Sequence, residues 1–266
     1  MLRQFLNPPN WFTAASIFCS VYAMAIVFAS QEPNAALYAR ACMFVVFAGV
    51  FDLLDGRVAR LTNRLSEFGV QMDSLADLIS FGIAPAMIAW SWKLHTLGRV
   101  GIAIIFWYVL CAVFRLARFN TNTEERVWQL SGHSQGLTST MGGGALVTLI
   151  WVSNGYLQGT LNIPSWAAGV FVAYLGLLMV SSVPFRTFRD VRKNRMARHM
   201  LAVVLACCLT GAVILDPSML FGIGAFLYLT WGFLDGIAVA IRHLRSGIPL
   251  SIEPEIDFSD YSIDEI

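Results

Sequence analysis

Long apolar runs recur along the 266-residue chain and restrict its fold more than any other feature. A helix needs roughly 20 apolar residues to cross a bilayer, where only helices and closed barrels satisfy their own backbone. Hydrophobic residues make up 57% of the chain and charged residues 13%. The sequence therefore predicts an all-α, polytopic integral membrane bundle of about eight spans. The predicted spans lie near residues 11–29, 35–57, 70–92, 98–118, 137–154, 165–183, 199–215 and 218–241.

The fifth of these runs is short and rich in glycine, so a bundle of about seven spans is the alternative. With eight spans and a cytoplasmic N-terminus, 15 of the 18 Lys and Arg residues fall on the cytoplasmic side. Arg40, Lys93 and Arg99 fall on the other side. This bias predicts that the face bearing residues 57–64 is cytoplasmic. The compact multispan chain without organelle targeting favours a multi-pass protein of a bacterial or archaeal inner membrane. The net charge of +1 gives no basis for nucleic-acid binding.

Acidic residues are concentrated between Asp52 and Asp77, within otherwise apolar sequence. Asp52 and Asp55 are three residues apart, and Asp73 and Asp77 are four apart, so each pair shares one face of a helix. Two helices joined by the polar turn at 61–67 would bring the four carboxylates together, where their repulsion requires a cation. Oxygen ligands favour Mg²⁺ or Mn²⁺ over zinc. The spacing therefore predicts a divalent metal site at one membrane face.

The residues between the two acidic pairs indicate what such a site would act on. Gly56 and Gly69 have no Cβ and permit close approach to the backbone. Arg60 supplies a guanidinium group that suits phosphate oxygens. Packing alone does not account for the aspartates, since a charge at the bilayer centre costs roughly 2.5–3.5 kcal/mol. Together these residues indicate phosphoryl chemistry on a pyrophosphate.

The stretch matches D-x2-D-G-x2-A-R-x8-G-x3-D-x3-D at every position. In this it resembles the signature of the CDP-alcohol phosphotransferase family. The resemblance covers most of residues 5–190, and the membrane catalytic domain is expected to comprise residues 1–245, with its motif at 52–77. It implies a metal site built from Asp52, Asp55, Asp73 and Asp77, with Asp77 also acting as the general base. The CDP-lipid contacts that it implies are Asn10, Thr13, Gly56, Ala59, Arg60, Ser66 and Gly69.

Two of these implied contacts have a purely structural alternative. Asn10 follows Pro9 and could cap the first helix, and Ser66 could cap the third.

Three further segments resemble the phosphatidylserine synthase branch of that family. They are DSLADLISFGIAP at 73–85, RLARFN at 115–120 and VPFRTFRD at 183–190. The resemblance implies transfer of a phosphatidyl group from CDP-diacylglycerol to L-serine with release of CMP, by a homodimer among membrane lipids. The implied acceptor or phosphate contacts are Arg115, Arg118, Asn120, Arg186 and Arg189.

Two alternatives to this function stay open on the sequence. Within the family, the acceptor could be inositol phosphate, glycerol phosphate or choline. From a different class, intramembrane aspartates are typical of cation transporters. The clustering of the aspartates near one face, beside Arg60, favours the enzyme. The acidic tail at 246–266 is expected to be cytoplasmic and disordered, because it has few residues that could pack.

Overall fold

The computed structural model describes residues 8–31, 34–61, 67–121, 133–154, 163–181 and 183–186, together with Gly224 and Thr230. Its seven α-helices in these ranges are α1 Pro8–Ala29, α2 Ala35–Leu61, α3 Glu67–Asp77, α4 Ala84–Trp92, α5 Arg99–Thr121, α6 Ser139–Asn154 and α7 Ser165–Val180. A π-helical stretch, Leu78–Ile83, joins α3 to α4 and is called the π-segment below. A 3₁₀ turn, Leu94–Leu97, precedes α5.

The helices begin and end where local chemistry favours it. Two prolines, Pro8 and Pro9, lie in the first turn of α1, where a missing N–H leaves no helical bond unmade. Asn34 caps α2, because its Oδ1 accepts a hydrogen bond from the N–H of Leu37 at 2.9 Å. Between the 3₁₀ turn and α5 stands Gly98, whose φ of 55° lies in the left-handed region that glycine favours.

Small buried residues let the helices approach closely. α1 and α2 pack along each other, with Ala23, Ala41 and Ala48 fully buried in the core. Such residues are the usual means of close helix packing in membranes. α5 packs on α7, and α6 packs on α2, on α4 and on the π-segment. The helices that carry the predicted site residues therefore form one bundle.

Helices α3 and α4 form one continuous rod with an irregular middle. In the π-segment the N–H of Ala84 donates to the carbonyl of Ile79, five residues back instead of four. Pro85 follows at once, in the first turn of α4, and has no N–H to donate. The apolar pattern predicts a plain span near 70–92, so the irregularity is a finding of the structure.

A short antiparallel strand pair joins β1, His133–Gln135, to β2, Pro184–Arg186. Gly136 follows β1 with φ 74° and donates its N–H to Val183 O at 2.9 Å. A Cβ at this glycine would lie 2.6 Å from the Met179 carbonyl oxygen, so no larger residue fits. The pair lies against the C-terminal end of α7 and is a small addition that the sequence did not predict.

The prediction of a polytopic helical membrane bundle is confirmed. Within the described ranges, four helices are long and apolar enough to span a membrane: Pro9–Ala29, Ala35–Ala59, Phe68–Trp92 and Arg99–Thr121. A shorter apolar helix, Ser165–Val180, corresponds to the sixth predicted span. The predicted spans at 199–215 and 218–241 lie outside the described residues, apart from Gly224 and Thr230, and so does the acidic tail. The total of eight stays a prediction.

Candidate active site

One end of the bundle collects the polar and charged residues that the sequence singled out. The chain direction alternates, so the start of α1 meets the end of α2 and the start of α3 at this end. The end of α5 and the start of α6 join them there, through a hydrogen bond between Arg115 and Ser139. The name acidic end is used below for this part of the bundle.

Three aspartates of the acidic end form a compact group. One carboxylate oxygen each from Asp52, Asp55 and Asp73 lies within 4.8 Å of the others. Asp55 is only 6% exposed, Asp52 is half-buried and Asp73 is exposed, so the group runs from the bundle interior to its surface. Asp52 and Asp55 come from α2 and Asp73 comes from α3, as helical spacing predicts.

Asp77 lies one turn deeper on α3 and contacts the same group. Its carboxyl group lies close enough to that of Asp52 for the two groups to interact. One of its oxygens, Oδ1, is buried and has no hydrogen-bond partner among the described residues. A buried polar oxygen without a partner is unfavourable. Asp77 thus has acceptor capacity that the described fold leaves unused.

The acidic end fits a hard divalent cation. Metal–oxygen distances of about 2.0–2.6 Å place two ligands of one ion up to ~4–5 Å apart, close to the spread of the three carboxylates. All the candidate ligands are oxygen atoms, and a cation would relieve the repulsion among them. The unpartnered Oδ1 of Asp77 adds an acceptor beside the group. These residues form an acidic cluster that could bind a metal ion.

Thr13 supports this group from α1. Its buried hydroxyl group donates to Asp55 Oδ2 at 2.8 Å and lies 3.3 Å from the carbonyl oxygen of Pro9. A hydrogen bond to a carboxylate is among the stronger kinds and holds one acceptor in place. Asn10 is buried one turn earlier, within the first turn of α1. The structure therefore joins Thr13 to an aspartate, a contact that no sequence pattern predicts.

Arg115 of α5 is a buried cation at the acidic end. It is 6% exposed, its Nη1 donates to Ser139 Oγ at 3.2 Å, and its charge attracts the Asp77 carboxylate. Buried charges persist in proteins where hydrogen bonds and opposite charges stabilise them, and Arg115 has the hydrogen bond to Ser139 and the attraction to Asp77. Arg115 therefore provides positive charge that partly offsets the four aspartates.

Arg118 and Asn120 lie farther toward the surface on α5. Arg118 Nη1 donates to the carbonyl oxygen of Val180 at 3.3 Å, at the end of α7, where unpaired carbonyls favour a cation. Asn120 and Ser74 are paired through two hydrogen bonds of 3.1 and 3.2 Å. Ser74 follows Asp73 directly in α3, so this pair links α3 to α5 near the exposed member of the acidic group.

Comparison with known proteins shows the family of the chain. The family model described as CDP-alcohol phosphatidyltransferase matches residues 6–180. The chain belongs to this family.

The relatives of this chain include three bacterial proteins named CDP-diacylglycerol–serine O-phosphatidyltransferase. The protein of Helicobacter pylori strain J99 is 34% identical over 245 residues, covering 89% of this chain and 95% of the relative. That of Bacillus subtilis strain 168 is 30% identical over 182 residues, covering 68% and 90%. That of Mycobacterium tuberculosis strain H37Rv is 29% identical over 228 residues, covering 83% and 75%.

The phosphatidyltransferase match includes every helix of the acidic end and stops where α7 stops. Gly56 and Ala59 lie half-buried on the last turns of α2, and Gly69 lies half-buried on the first turn of α3. Of Arg60 and Arg186 only the backbone is described, in α2 and β2 respectively. Ser66 and Arg189 lie outside the described residues. The roles given to these residues stay predictions.

Sequence reasoning missed three parts of the acidic end. Ser74 and Ser139 are hydrogen-bond partners of predicted residues, but no spacing marks either serine as a site residue, although Ser74 lies in the 73–85 segment. The serines Ser16, Ser20 and Ser80 form a buried hydroxyl cluster below the aspartates, with Oγ–Oγ distances of 3.2 Å (Ser16–Ser80) and 2.8 Å (Ser20–Ser80). One available signal was the spacing of Thr13, Ser16 and Ser20, which places three hydroxyl groups on one face of α1.

Proposed function

We propose that this phosphatidyltransferase family member transfers a phosphatidyl group from CDP-diacylglycerol to L-serine and releases CMP. The observation that carries the proposal is the convergence of the aspartates of α2 and α3 beside buried Arg115. Serine as the acceptor is supported by the names of the relatives, one of which is covered over 95% of its length. The proposal includes membrane lipids as the surroundings of both the donor and the product.

The resident cofactor in this proposal is Mg²⁺ or Mn²⁺. Asp52, Asp55 and Asp73 would hold it, and the unpartnered oxygen of Asp77 would complete the ligand set. When bound, a divalent ion neutralises pyrophosphate oxygens and the developing charge on the leaving CMP. Thr13 would hold Asp55 in place for that task through its 2.8 Å hydrogen bond.

The proton of the acceptor is assigned to Asp77. Serine Oγ forms a bond to the phosphorus that carries diacylglycerol, and the bond from that phosphorus to the CMP oxygen breaks. The serine hydroxyl proton passes to the Asp77 carboxylate as attack proceeds. Arg115 is charged throughout and lies close enough to attract Asp77, so it orients this carboxylate toward the reacting group.

The substrates would approach from opposite sides of the acidic group. Asn10, Gly56, Ala59, Arg60, Ser66 and Gly69 are proposed to hold the CDP moiety. Arg118, Asn120, Arg186 and Arg189 are proposed to hold the acceptor or the lipid phosphate. Asn120 is exposed and is hydrogen-bonded to Ser74, the residue after Asp73, so it is accessible to a water-soluble amino acid.

The proposed setting is the cytoplasmic face of an inner membrane, with residues 1–245 as the catalytic domain and 246–266 as an acidic cytoplasmic tail. The distribution of basic residues supports this orientation, because cytoplasmic segments of membrane proteins are enriched in Lys and Arg. A homodimer is proposed from the family resemblance.

The test measures CMP release by purified protein in detergent with CDP-diacylglycerol and Mn²⁺ or Mg²⁺. L-serine, inositol phosphate, glycerol phosphate and choline are compared as acceptors. Asp77→Asn serves as the inactive variant and Thr96→Val, at the opposite end of the bundle, as the matched control. We expect release with serine alone, lost in Asp77→Asn and kept in Thr96→Val.

The other outcomes identify which part of the proposal is wrong. Release with a different acceptor keeps the phosphatidyl transfer and overturns serine. No release with any acceptor, combined with Mn²⁺ uptake by proteoliposomes that hold the protein, supports a cation transporter.

A further inference from the structure

The π-segment begins directly after Asp77, so its geometry sets how α3 is rotated relative to α4. One residue of an α-helix corresponds to a rotation of about 100°, because 3.6 residues complete a turn. A π-turn accommodates one extra residue, and changing it back to an α-turn would rotate α3 by about that angle. The faces that Asp73 and Asp77 present to α2 therefore depend on the π-segment.

Pro85 explains why a regular α-helix is disfavoured here. In an α-helix the N–H of residue 85 would donate to the carbonyl oxygen of Phe81, and proline has no N–H. The hydroxyl group of Tyr108 donates to that oxygen instead, at 3.0 Å. Tyr108 is 0% exposed and Phe81 3% exposed, so water does not compete for this bond. The Tyr108 hydroxyl group, from α5, thus replaces the N–H donor that Pro85 lacks.

Two further contacts hold the π-segment from other helices. Ser80 is hydrogen-bonded to Ser16 and Ser20 of α1. Gly143 of α6 lies against the Phe81 backbone so closely that a Cβ there would be 2.6 Å from its carbonyl oxygen. Tyr108 also shares a buried face of α5 with Arg115, seven residues later. The same face of one helix therefore contacts the π-segment and carries the cation that attracts Asp77.

We infer that Tyr108 is a positioning residue for the carboxylates of the acidic end. It acts through the Phe81 carbonyl group, fixes the π-segment, and so keeps Asp73 and Asp77 directed toward Asp52. Tyr108 itself does not touch the aspartates. The inference rests on the proposed metal site, but not on the identity of the acceptor.

The test compares Tyr108→Phe with Tyr38→Phe in the full chain in detergent. Tyr38 is a matched control, since it is also buried and its hydroxyl group is hydrogen-bonded to Ser91 at 3.1 Å, at the other end of the bundle. Mn²⁺ affinity is measured without lipid from the loss of the free-ion electron paramagnetic resonance signal. Thermal stability is measured in EDTA. We expect Tyr108→Phe to weaken Mn²⁺ binding roughly 10–100-fold and Tyr38→Phe to leave it unchanged.

A double variant separates positioning from mere stability. Pro85→Ala returns an N–H that can reach the Phe81 carbonyl and favours the α-helical register. In Tyr108→Phe/Pro85→Ala we expect the melting temperature to recover while Mn²⁺ affinity stays low. Recovery of both would overturn the inference, and so would wild-type Mn²⁺ affinity in Tyr108→Phe.

Two controls keep the result interpretable. If Tyr108→Phe does not fold, the double variant Tyr108→Phe/Pro85→Ala replaces it, and wild-type Mn²⁺ affinity in that folded protein would overturn the inference. If the wild-type protein binds no Mn²⁺, the proposed metal site fails instead, whatever the variants do.

Discussion

The two ends of this bundle differ in how the described polar side chains are paired. At the end opposite the aspartates, Lys93 Nζ donates to Ile163 O at 2.6 Å, Thr96 donates to Ser165 Oγ at 2.8 Å, and His95 Nδ1 lies 3.1 Å from Trp90 O. At the acidic end, three carboxylates lie within 4.8 Å of one another and Asp77 keeps a buried oxygen without a hydrogen bond among the described residues. Proteins tolerate such unfavourable arrangements of polar groups mainly at functional sites. We therefore expect the function to reside at the acidic end.

The strongest test of this comparison is Asp52→Asn. It removes one proposed metal ligand, and a bound metal contributes several kcal/mol of transition-state stabilisation, so we expect CMP release to fall about a thousand-fold. In EDTA we expect the melting temperature to rise, because the substituted side chain carries no charge and its amide can donate to Asp77. Initial rates and thermal unfolding of the same preparation check both effects.

The matched variant for that experiment is Lys93→Met at the opposite end. It removes the hydrogen bond to Ile163, so the melting temperature should fall while CMP release is kept. A destabilised Asp52→Asn protein in EDTA would contradict the view that the acidic end sacrifices stability for function.

Arg115→Met is expected to have the next largest effect. It removes the buried cation that attracts Asp77 and leaves this carboxylate among three others that repel it. We expect about a hundred-fold loss of kcat together with a lower melting temperature. Arg115→Lys retains the charge but not the planar donor group, and should recover part of the stability and little of the rate. Full activity in Arg115→Met would remove this residue from the site.

Gly143→Ala and Gly144→Ala are substitutions at adjacent positions of α6. They test whether the close contact between α6 and the π-segment supports the acidic end. A Cβ at Gly143 meets the Phe81 backbone at 2.6 and 2.8 Å, whereas nothing lies within 4 Å of a Cβ at Gly144. Overpacking against backbone costs about 1–3 kcal/mol, so Gly143→Ala should lower both stability and Mn²⁺ affinity. Gly144→Ala should change stability by at most about 1 kcal/mol, toward stabilisation. Equal stability and equal Mn²⁺ affinity of the two variants would exclude the close contact between Gly143 and the Phe81 backbone.

Local periodicity explains what the sequence could predict. The four aspartates converge because each pair is spaced by one helical turn, and the long apolar runs predict the four long helices. The pairing of Arg115 with Ser139 and of Tyr108 with Phe81 joins residues 24 and 27 positions apart. Such contacts depend on how the helices are rotated against one another, and no local pattern encodes that rotation.

The same limit applies to the contact that Thr13 makes. Of the substitutions considered, Thr13→Val has the smallest expected effect. The family resemblance implies a CDP-lipid contact, whereas its hydroxyl group donates to Asp55 at 2.8 Å. Thr13→Val keeps the shape and removes a hydrogen bond to a charged group, worth about 1.5–3 kcal/mol when both partners are buried. We expect the Mn²⁺ concentration that gives half the maximal rate to rise by up to about tenfold. KM for CDP-diacylglycerol should stay unchanged.

Thr96→Val is the matched substitution at the opposite end, where Thr96 donates to Ser165 and to the Lys93 carbonyl group at 2.8 Å. It should lower stability by about 1 kcal/mol and leave both kinetic constants at their wild-type values. A raised KM for CDP-diacylglycerol in Thr13→Val, with unchanged Mn²⁺ dependence, would assign Thr13 to the nucleotide instead of to Asp55. In that case the acidic end would use α1 to recognise the substrate, and the carboxylates of α2 and α3 would keep their geometry without it.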